Sequence, residues 1–91
     1  MLVEVRRRTQ FAVEAVEAIQ APPDSDAAKA RMDEIASRWA REMEALGVEV
    51  KGPWLVDFDN GSGYYCWQWP EEELEYFHPH DEGFASRMRI Q

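Results

Sequence analysis

Two apolar stripes with helical spacing occupy the first half of the chain. The first advances by alternating steps of three and four residues, through Leu2, Val5, Thr9, Ala12, Val16 and Ile19. This spacing places the side chains on one face of a helix, with Thr9 as the polar member. The pattern predicts a helix over residues 2–20. Pro22 and Pro23 end it, because proline cannot continue a helix and disfavours helical geometry in the preceding residue.

A second helix is predicted to follow after a short connection. Asp24, Ser25 and Asp26 are residue types that favour the N-cap position. The apolar positions of this helix are Ala28, Met32, Ile35, Trp39, Met43 and Leu46. Gly47 stands where the C-terminus of a helix favours glycine. The short connection predicts an antiparallel helical hairpin, which has to pack on the second half of the chain, on another subunit, or on both.

An alternation with a period of two replaces the helical pattern in the second half. The alternating positions are Trp54, Val56 and Phe58 in one segment and Tyr65, Trp67 and Trp69 in the next. Residues 60–63, with the sequence Asn-Gly-Ser-Gly, predict a hairpin turn between them. We favour an even-length loop, because an odd-length loop would set Phe58 against more polar positions. Residues 74–78 and 48–50 are expected to add a third and a fourth strand.

These patterns predict the α+β class, with an antiparallel helical hairpin packed on a small antiparallel sheet of three to four strands. The length of 91 residues predicts one domain over residues 1–91. Within it, the hairpin occupies 1–47, and the sheet with a C-terminal segment occupies 48–91. A chain of this size buries only about 60–65% of its unfolded surface. Its core is therefore marginal, and we expect dimerisation to stabilise it.

Charge and cysteine content narrow the range of partners and locations. The formal net charge is −8, which argues against nucleic acid and anionic membranes, because phosphate groups attract basic surfaces. No segment approaches the roughly 18 apolar residues that a membrane-spanning helix needs. The single cysteine cannot close a disulfide within the chain, which favours a reducing, cytoplasmic location.

Most side chains with chemical potential lie in the second half, which holds both histidines, the only cysteine and three of the four tryptophans. If the chain is extended there, His78 and His80 fall on one side and suit zinc or a similar divalent ion. Asp57, Asp81 or Glu82 would supply a carboxylate. The structural alternative is that His78 bonds a backbone group while His80 is solvated.

Asp57 interrupts an otherwise apolar strand, and its parity places it near Cys66 across the hairpin. A buried carboxylate needs a partner, for which His78 and Arg87 are the candidates. Asp57 then either orients His78 for acid–base or metal chemistry or forms a structural ion pair. A Cys66 nucleophile with His78 as base is an alternative to a packed thiol, although reactive cysteines usually occupy electropositive sites.

The remaining candidates also have two interpretations. Arg87 is either a surface charge or an anion clamp. The row of Trp54, Trp67 and Trp69 is either core or a stacking platform for a ligand. Phe84 is expected to close the sheet as a core residue.

Several of these segments follow the order of motifs in a known bacterial family. They are Gly47, Leu55-Val56-Asp57-Phe58, Cys66-Trp67, His78 and Asp81-Glu82-Gly83-Phe84-Ala85-Ser86-Arg87. Together they resemble the family called domain of unknown function 2203, over roughly residues 26–90. The resemblance implies a helical hairpin with a small sheet and implies no activity. The chain departs from the family pattern at Pro53-Trp54, Phe77, Pro79, His80 and Ser86, so a metal site common to the family cannot depend on His80.

Two hypotheses for function remain. The first is a small cytoplasmic, non-enzymatic module that binds itself as a homodimer or binds a protein partner. It rests on the marginal core, the heptad-like helices and the lack of a catalytic signature. The alternative is an enzyme that binds a metal or small ligand, centred on His78, Asp57, Glu82 and Arg87. A pocket lined by these four side chains would favour the enzyme.

Overall fold

A helical hairpin and one antiparallel sheet make up the part of the chain that the structure, a computed structural model, describes: residues 1–80 and 88–89. Helix α1 spans Leu2–Glu17 and helix α2 spans Asp26–Ala45. The strands are β1 (Glu49–Gly52), β2 (Leu55–Asp59), β3 (Gly63–Gln68), β4 (Tyr76–Pro79) and β5 (Met88–Arg89). They are hydrogen-bonded in chain order, each antiparallel to the next. The predicted α+β fold is confirmed.

The helix ends follow local sequence signals. Ser25 is the N-cap of α2, and its Oγ accepts a hydrogen bond from the Ala28 amide at 3.1 Å. Gly47, just beyond α2, has φ +88°, a conformation that glycine adopts without a steric cost. Helix α1 ends at Glu17, three residues before the predicted end, and Ile19 still packs on the core beyond it. Neither described helix has both the length and the apolar character needed to cross a membrane.

The register of the β2–β3 hairpin matches the even-loop prediction. Val56 pairs with Trp67, and Phe58 pairs with Tyr65. The sheet has five strands rather than three to four, because β5 pairs with the outer edge of β4 through two residues. A two-residue strand is too short to produce an alternating pattern, although it can satisfy backbone groups that an edge strand leaves unpaired.

The hydrophobic core lies between the helical hairpin and one face of the sheet. The side chains of Val5, Met43, Val56 and Trp67 are all 0% exposed within it. Trp54 and Trp69 are half-buried against the same core, so the aromatic row of the strands is largely core. Because side chains alternate along a strand, the residues between these positions point to the opposite face of the sheet. That opposite face carries the polar residues.

Candidate functional site

Cross-strand pairing collects the polar side chains on the face of the sheet away from the helices, here called the polar face. One row runs across all five strands and contains Glu49, Asp57, Cys66, Tyr76 and Arg89. The neighbouring row pairs Tyr64 with His78. Paired residues of an antiparallel sheet share a face and come within contact distance. Three separate strands therefore place Asp57, Cys66 and His78 together.

Asp57 and His78 form a buried hydrogen-bonded pair. His78 Nε2 lies 2.9 Å from Asp57 Oδ2, and the two residues are 2% and 1% exposed. The other ring nitrogen, Nδ1, lies 3.0 Å from the Pro79 carbonyl oxygen. His78 is one of the two partners predicted for the Asp57 carboxylate, and the other, Arg87, lies outside the described residues.

The partners of His78 determine how many protons the pair holds. A carbonyl oxygen only accepts, so Nδ1 carries a hydrogen and donates it to Pro79. A second proton has to lie between Nε2 and Oδ2, because two facing lone pairs would repel each other. The pair is therefore either an imidazolium with a carboxylate or a neutral imidazole with a carboxylic acid. In both forms its net charge is zero, which suits a site with almost no contact with water.

Cys66 completes a buried cluster with this pair, here called the Asp57–Cys66–His78 cluster. Its thiol is 1% exposed, and the potential ligand atoms of the three residues all lie within 4.8 Å of one another. Asp57 Oδ1 is buried and has no hydrogen-bond partner among the described residues. Both nitrogens of His78 already face oxygen atoms, so neither is directed at Cys66 to act as its base. The cluster suits ligation or structure better than thiol catalysis.

Two further polar contacts border the cluster. A hydrogen bond to Glu49, reinforced by desolvation and by the negative charge of Glu49, raises the pKa of Tyr64 to about 12. The Tyr64 ring also packs against the His78 ring at 5.3 Å and the His80 ring at 4.8 Å. Sequence analysis did not single out Tyr64 or Glu49. Because side chains alternate along a strand, Tyr64 points to the same face as Cys66, two residues further along β3.

His80 lies in the turn that follows β4 and faces its own carboxylate. Its Nε2 lies 2.9 Å from Asp59 Oδ1, and both side chains are substantially exposed. The Gly61 amide and, less strongly, His80 stabilise the Asp59 carboxylate and lower its pKa. His78 and His80 thus have different acidic partners, one buried and one in solvent. Metal binding by this histidine pair stays a prediction.

Three predicted site residues, Asp81, Glu82 and Arg87, lie outside the described residues, as does Phe84. Of the four side chains proposed for the alternative enzyme, the structure therefore places only Asp57 and His78, which it brings together.

A second candidate region lies on α1, on the side opposite the core. This outer stripe consists of Val3, Arg7, Gln10, Phe11 and Glu14 of α1 together with Ala18, the C-cap residue of that helix, all of them exposed. Sequence analysis concentrated on the stripe that packs inward and missed this one. The signal was available, because Val3, Arg7, Phe11, Glu14 and Ala18 also recur at steps of three and four residues, with Gln10 beside Phe11. Val5, Thr9 and Ala12 of the inward stripe are buried. Leu2, Val16 and Ile19 of the same stripe are partly buried against the chain's own core.

Comparison with protein-family models gives a match over nearly the whole chain. Residues 1–90 match the family described as an uncharacterized conserved protein, DUF2203. The chain belongs to this family. The match includes the N-terminal helix as well as the motif-bearing second half that carried the resemblance. Comparison with curated proteins and with solved structures gives no match. The DUF2203 assignment brings no activity with it, so a function has to be argued from the polar face and the outer stripe.

Proposed function

We propose that the protein is a small, non-enzymatic self-association module that forms a two-fold homodimer through the outer stripe of α1. The observation that carries this proposal is the exposure of Val3 and Phe11, which are 77% and 74% exposed on one side of one helix. Burying these side chains in an interface would be favourable by about 25 cal/mol for each Å² of apolar surface removed from water. We propose that a second copy of the chain buries them, because positive charges of the stripe on one copy can face negative charges of the same stripe on the other.

The complementarity follows from the residue numbers. Consider two copies of α1 packed antiparallel about a two-fold axis that passes between positions 10 and 11. Arg7 then lies opposite Glu14 of the partner subunit, and Val3 opposite Ala18 of the partner subunit. The two Phe11 side chains meet beside the axis. In a two-fold interface each of these pairs forms twice.

The contacts that such a dimer would replace are weak. Arg7 now pairs with Glu4 at 2.9 Å, and Gln10 donates a hydrogen bond to Glu14 at 3.2 Å. Both contacts are exposed and lie within one helix, where such pairs contribute about 0.3–0.5 kcal/mol. Redirecting Arg7 and Glu14 to a second subunit therefore costs little.

Phe11 also borders a groove between the two helices. This groove is lined in part by Ala12, Ile35, Arg38 and Glu42. Its apolar floor and charged rim resemble the composition of protein interfaces. The groove extends the surface that a second copy can cover beyond the single helix face.

The wider proposal treats residues 1–91 as one cytoplasmic domain whose hairpin, residues 1–47, supplies the interface. A net charge of −8 makes nucleic acid and anionic membranes poor partners. The enzyme alternative is supported less well, because Asp57 and His78 are almost fully buried and are hydrogen-bonded to each other.

Solution mass tests the proposal. At micromolar concentration, light scattering should report about 21 kDa, twice the 10.6 kDa of one chain. Phe11→Glu should give a monomer with an unchanged circular dichroism spectrum, because Phe11 is exposed in the single chain. Met32→Glu is the matched control, since Met32 is also an exposed apolar residue on a helix but lies on α2. A monomeric parent protein, or a dimeric Phe11→Glu variant, would refute the proposed interface.

A charge exchange tests the orientation of the two helices. Arg7→Glu and Glu14→Arg should each weaken the dimer, because each places like charges opposite each other. The double variant restores opposite charges across the axis and should recover most of the affinity. If the two effects simply add, the antiparallel arrangement is wrong.

A further inference from the structure

We infer that Asp57, Cys66 and His78 form a binding site for a divalent transition metal ion, with zinc as the best fit. The three potential ligand atoms lie within 4.8 Å of one another on adjacent strands β2, β3 and β4. This site is independent of the proposed dimer interface, because it lies on the polar face of the sheet and not on α1.

The orientation of His78 is the one that metal sites use. A ligating histidine normally donates its second ring N–H to a carbonyl or carboxylate, which fixes the tautomer and directs the other nitrogen at the metal. His78 Nδ1 donates to the Pro79 carbonyl in this way, at 3.0 Å. Nε2 therefore points to Asp57 and is the atom that would bind the ion.

The unpaired oxygen of Asp57 is a second, independent indication. Asp57 is 1% exposed, yet its Oδ1 has no hydrogen-bond partner within residues 1–80 and 88–89. A buried carboxylate oxygen without a partner costs free energy unless something compensates it. A cation held by the same carboxylate would supply that compensation.

Charge balance also favours a divalent ion. The cluster without metal is neutral, since it contains a thiol and a pair with no net charge. Binding M²⁺ would release the thiol proton and the proton shared by Asp57 and His78. The product is M²⁺ with one thiolate, one carboxylate and a neutral imidazole, which is again neutral. The exchange leaves no uncompensated charge in the buried site.

The chemical types of the three ligands indicate which metal ions the site would prefer. A thiolate and an imidazole favour zinc, cobalt or other transition metals over magnesium and calcium, which prefer oxygen ligands. Ligand atoms around tetrahedral zinc lie about 3.3–3.6 Å apart, given bond lengths of about 2.0–2.3 Å. To reach this size, the cluster would contract where its ligand atoms are up to 4.8 Å apart and open between His78 Nε2 and Asp57 Oδ2, which are 2.9 Å apart. Three protein ligands leave a fourth position for water or a small ligand.

Metal content and cobalt absorption test this site. Tag-free full-length protein is treated with EDTA, incubated with excess zinc, and separated from unbound ion on a desalting column. We expect about one zinc ion per chain in the parent protein, and Cys66→Ser should lose more than about 100-fold in affinity. With Co²⁺, the parent should show a thiolate-to-cobalt charge-transfer band. The only thiol in the chain is Cys66, so the band identifies this ligand without any variant.

His80→Ala is the matched control, because it removes the neighbouring histidine and leaves the three proposed ligands intact. We expect this variant to retain the zinc and the cobalt band, whereas Asp57→Asn should lose both. No zinc in the parent, or zinc without a charge-transfer band for cobalt, would overturn the proposal. Loss of binding in His80→Ala together with full binding in Cys66→Ser would also overturn it and assign the metal to the two histidines.

Discussion

Thr9 shows how the fold accommodates a polar side chain in an apolar helix face. It is 0% exposed, yet its hydroxyl makes two hydrogen bonds. Oγ1 donates to the Val5 carbonyl at 2.7 Å and accepts from Trp39 Nε1 at 2.8 Å. The hydroxyl therefore links α1 to the largest buried side chain of α2. It also gives the buried indole N–H an acceptor, which a tryptophan in a core usually finds.

Removing the Thr9 hydroxyl should destabilise the protein. We expect Thr9→Val to lower the free energy of unfolding by about 1–3 kcal/mol, because the buried N–H of Trp39 would lose its acceptor while the volume stays nearly constant. Thr9→Ser, which keeps the hydroxyl, should cost less, about 1 kcal/mol for the lost methyl group. Urea denaturation followed by tryptophan fluorescence measures both. Equal stability of Thr9→Val and the parent would show that the indole does not depend on this bond.

At the scale of elements, the turn between β1 and β2 combines backbone strain with packing. Trp54 has φ +61°, an unusual conformation for a residue with a side chain. Its ring meets the Trp39 ring edge-to-face, with centroids 5.0 Å apart. The packing between the sheet and α2 therefore offsets the strain of the turn. This position is also one where the chain departs from the family motif.

Two substitutions separate strain from packing. Trp54→Ala and Trp54→Gly both remove the contact with Trp39 and should both destabilise the protein by a few kcal/mol. Glycine adopts positive φ freely, whereas alanine retains the strain, so the glycine variant should be more stable by about 1 kcal/mol. This order is opposite to the usual one, in which alanine stabilises relative to glycine. Thermal melts of the two variants would contradict the argument if alanine proved the more stable.

The elements with strong periodic patterns could be predicted from sequence. Parity fixed the register of the β2–β3 hairpin, and with it the placement of Asp57 opposite Cys66. Cap chemistry limited the N-cap of α2 to residues 24–26, and the structure places it at Ser25. These features depend on residues close together in the chain, where spacing and turn type determine geometry.

The remaining features depend on contacts that local patterns do not encode. His78 lies 21 residues from Asp57, and its position beside that carboxylate follows from the pairing of β4 with β3. His80 does not share the carboxylate of His78 but pairs with a second one, Asp59. Asp59 comes within reach of His80 only through the pairing of the strands. Strand β5 has two residues and no pattern of its own.

At the scale of the whole molecule, the shape favours association. The Cα radius of gyration is 14.3 Å, compared with about 12 Å for a compact chain of this length. An elongated chain exposes more surface for its volume, and small domains already bury a low fraction of their surface. A dimer through α1 would cover the helical side and leave the polar face of the sheet outside the interface.

This arrangement predicts that stability depends on protein concentration. If the dimer is the native form, a tenfold increase in concentration stabilises it by about 1.4 kcal/mol, or about 0.7 kcal/mol per chain. For a chain of this size, that corresponds to a rise of about 3–6 °C in the unfolding midpoint. Scanning calorimetry over a hundredfold concentration range should show this rise for the parent and for Met32→Glu, but not for Phe11→Glu. Superimposable melts of the parent across that range would mean that folding does not depend on a second copy, and the role proposed for the outer stripe would have to be abandoned.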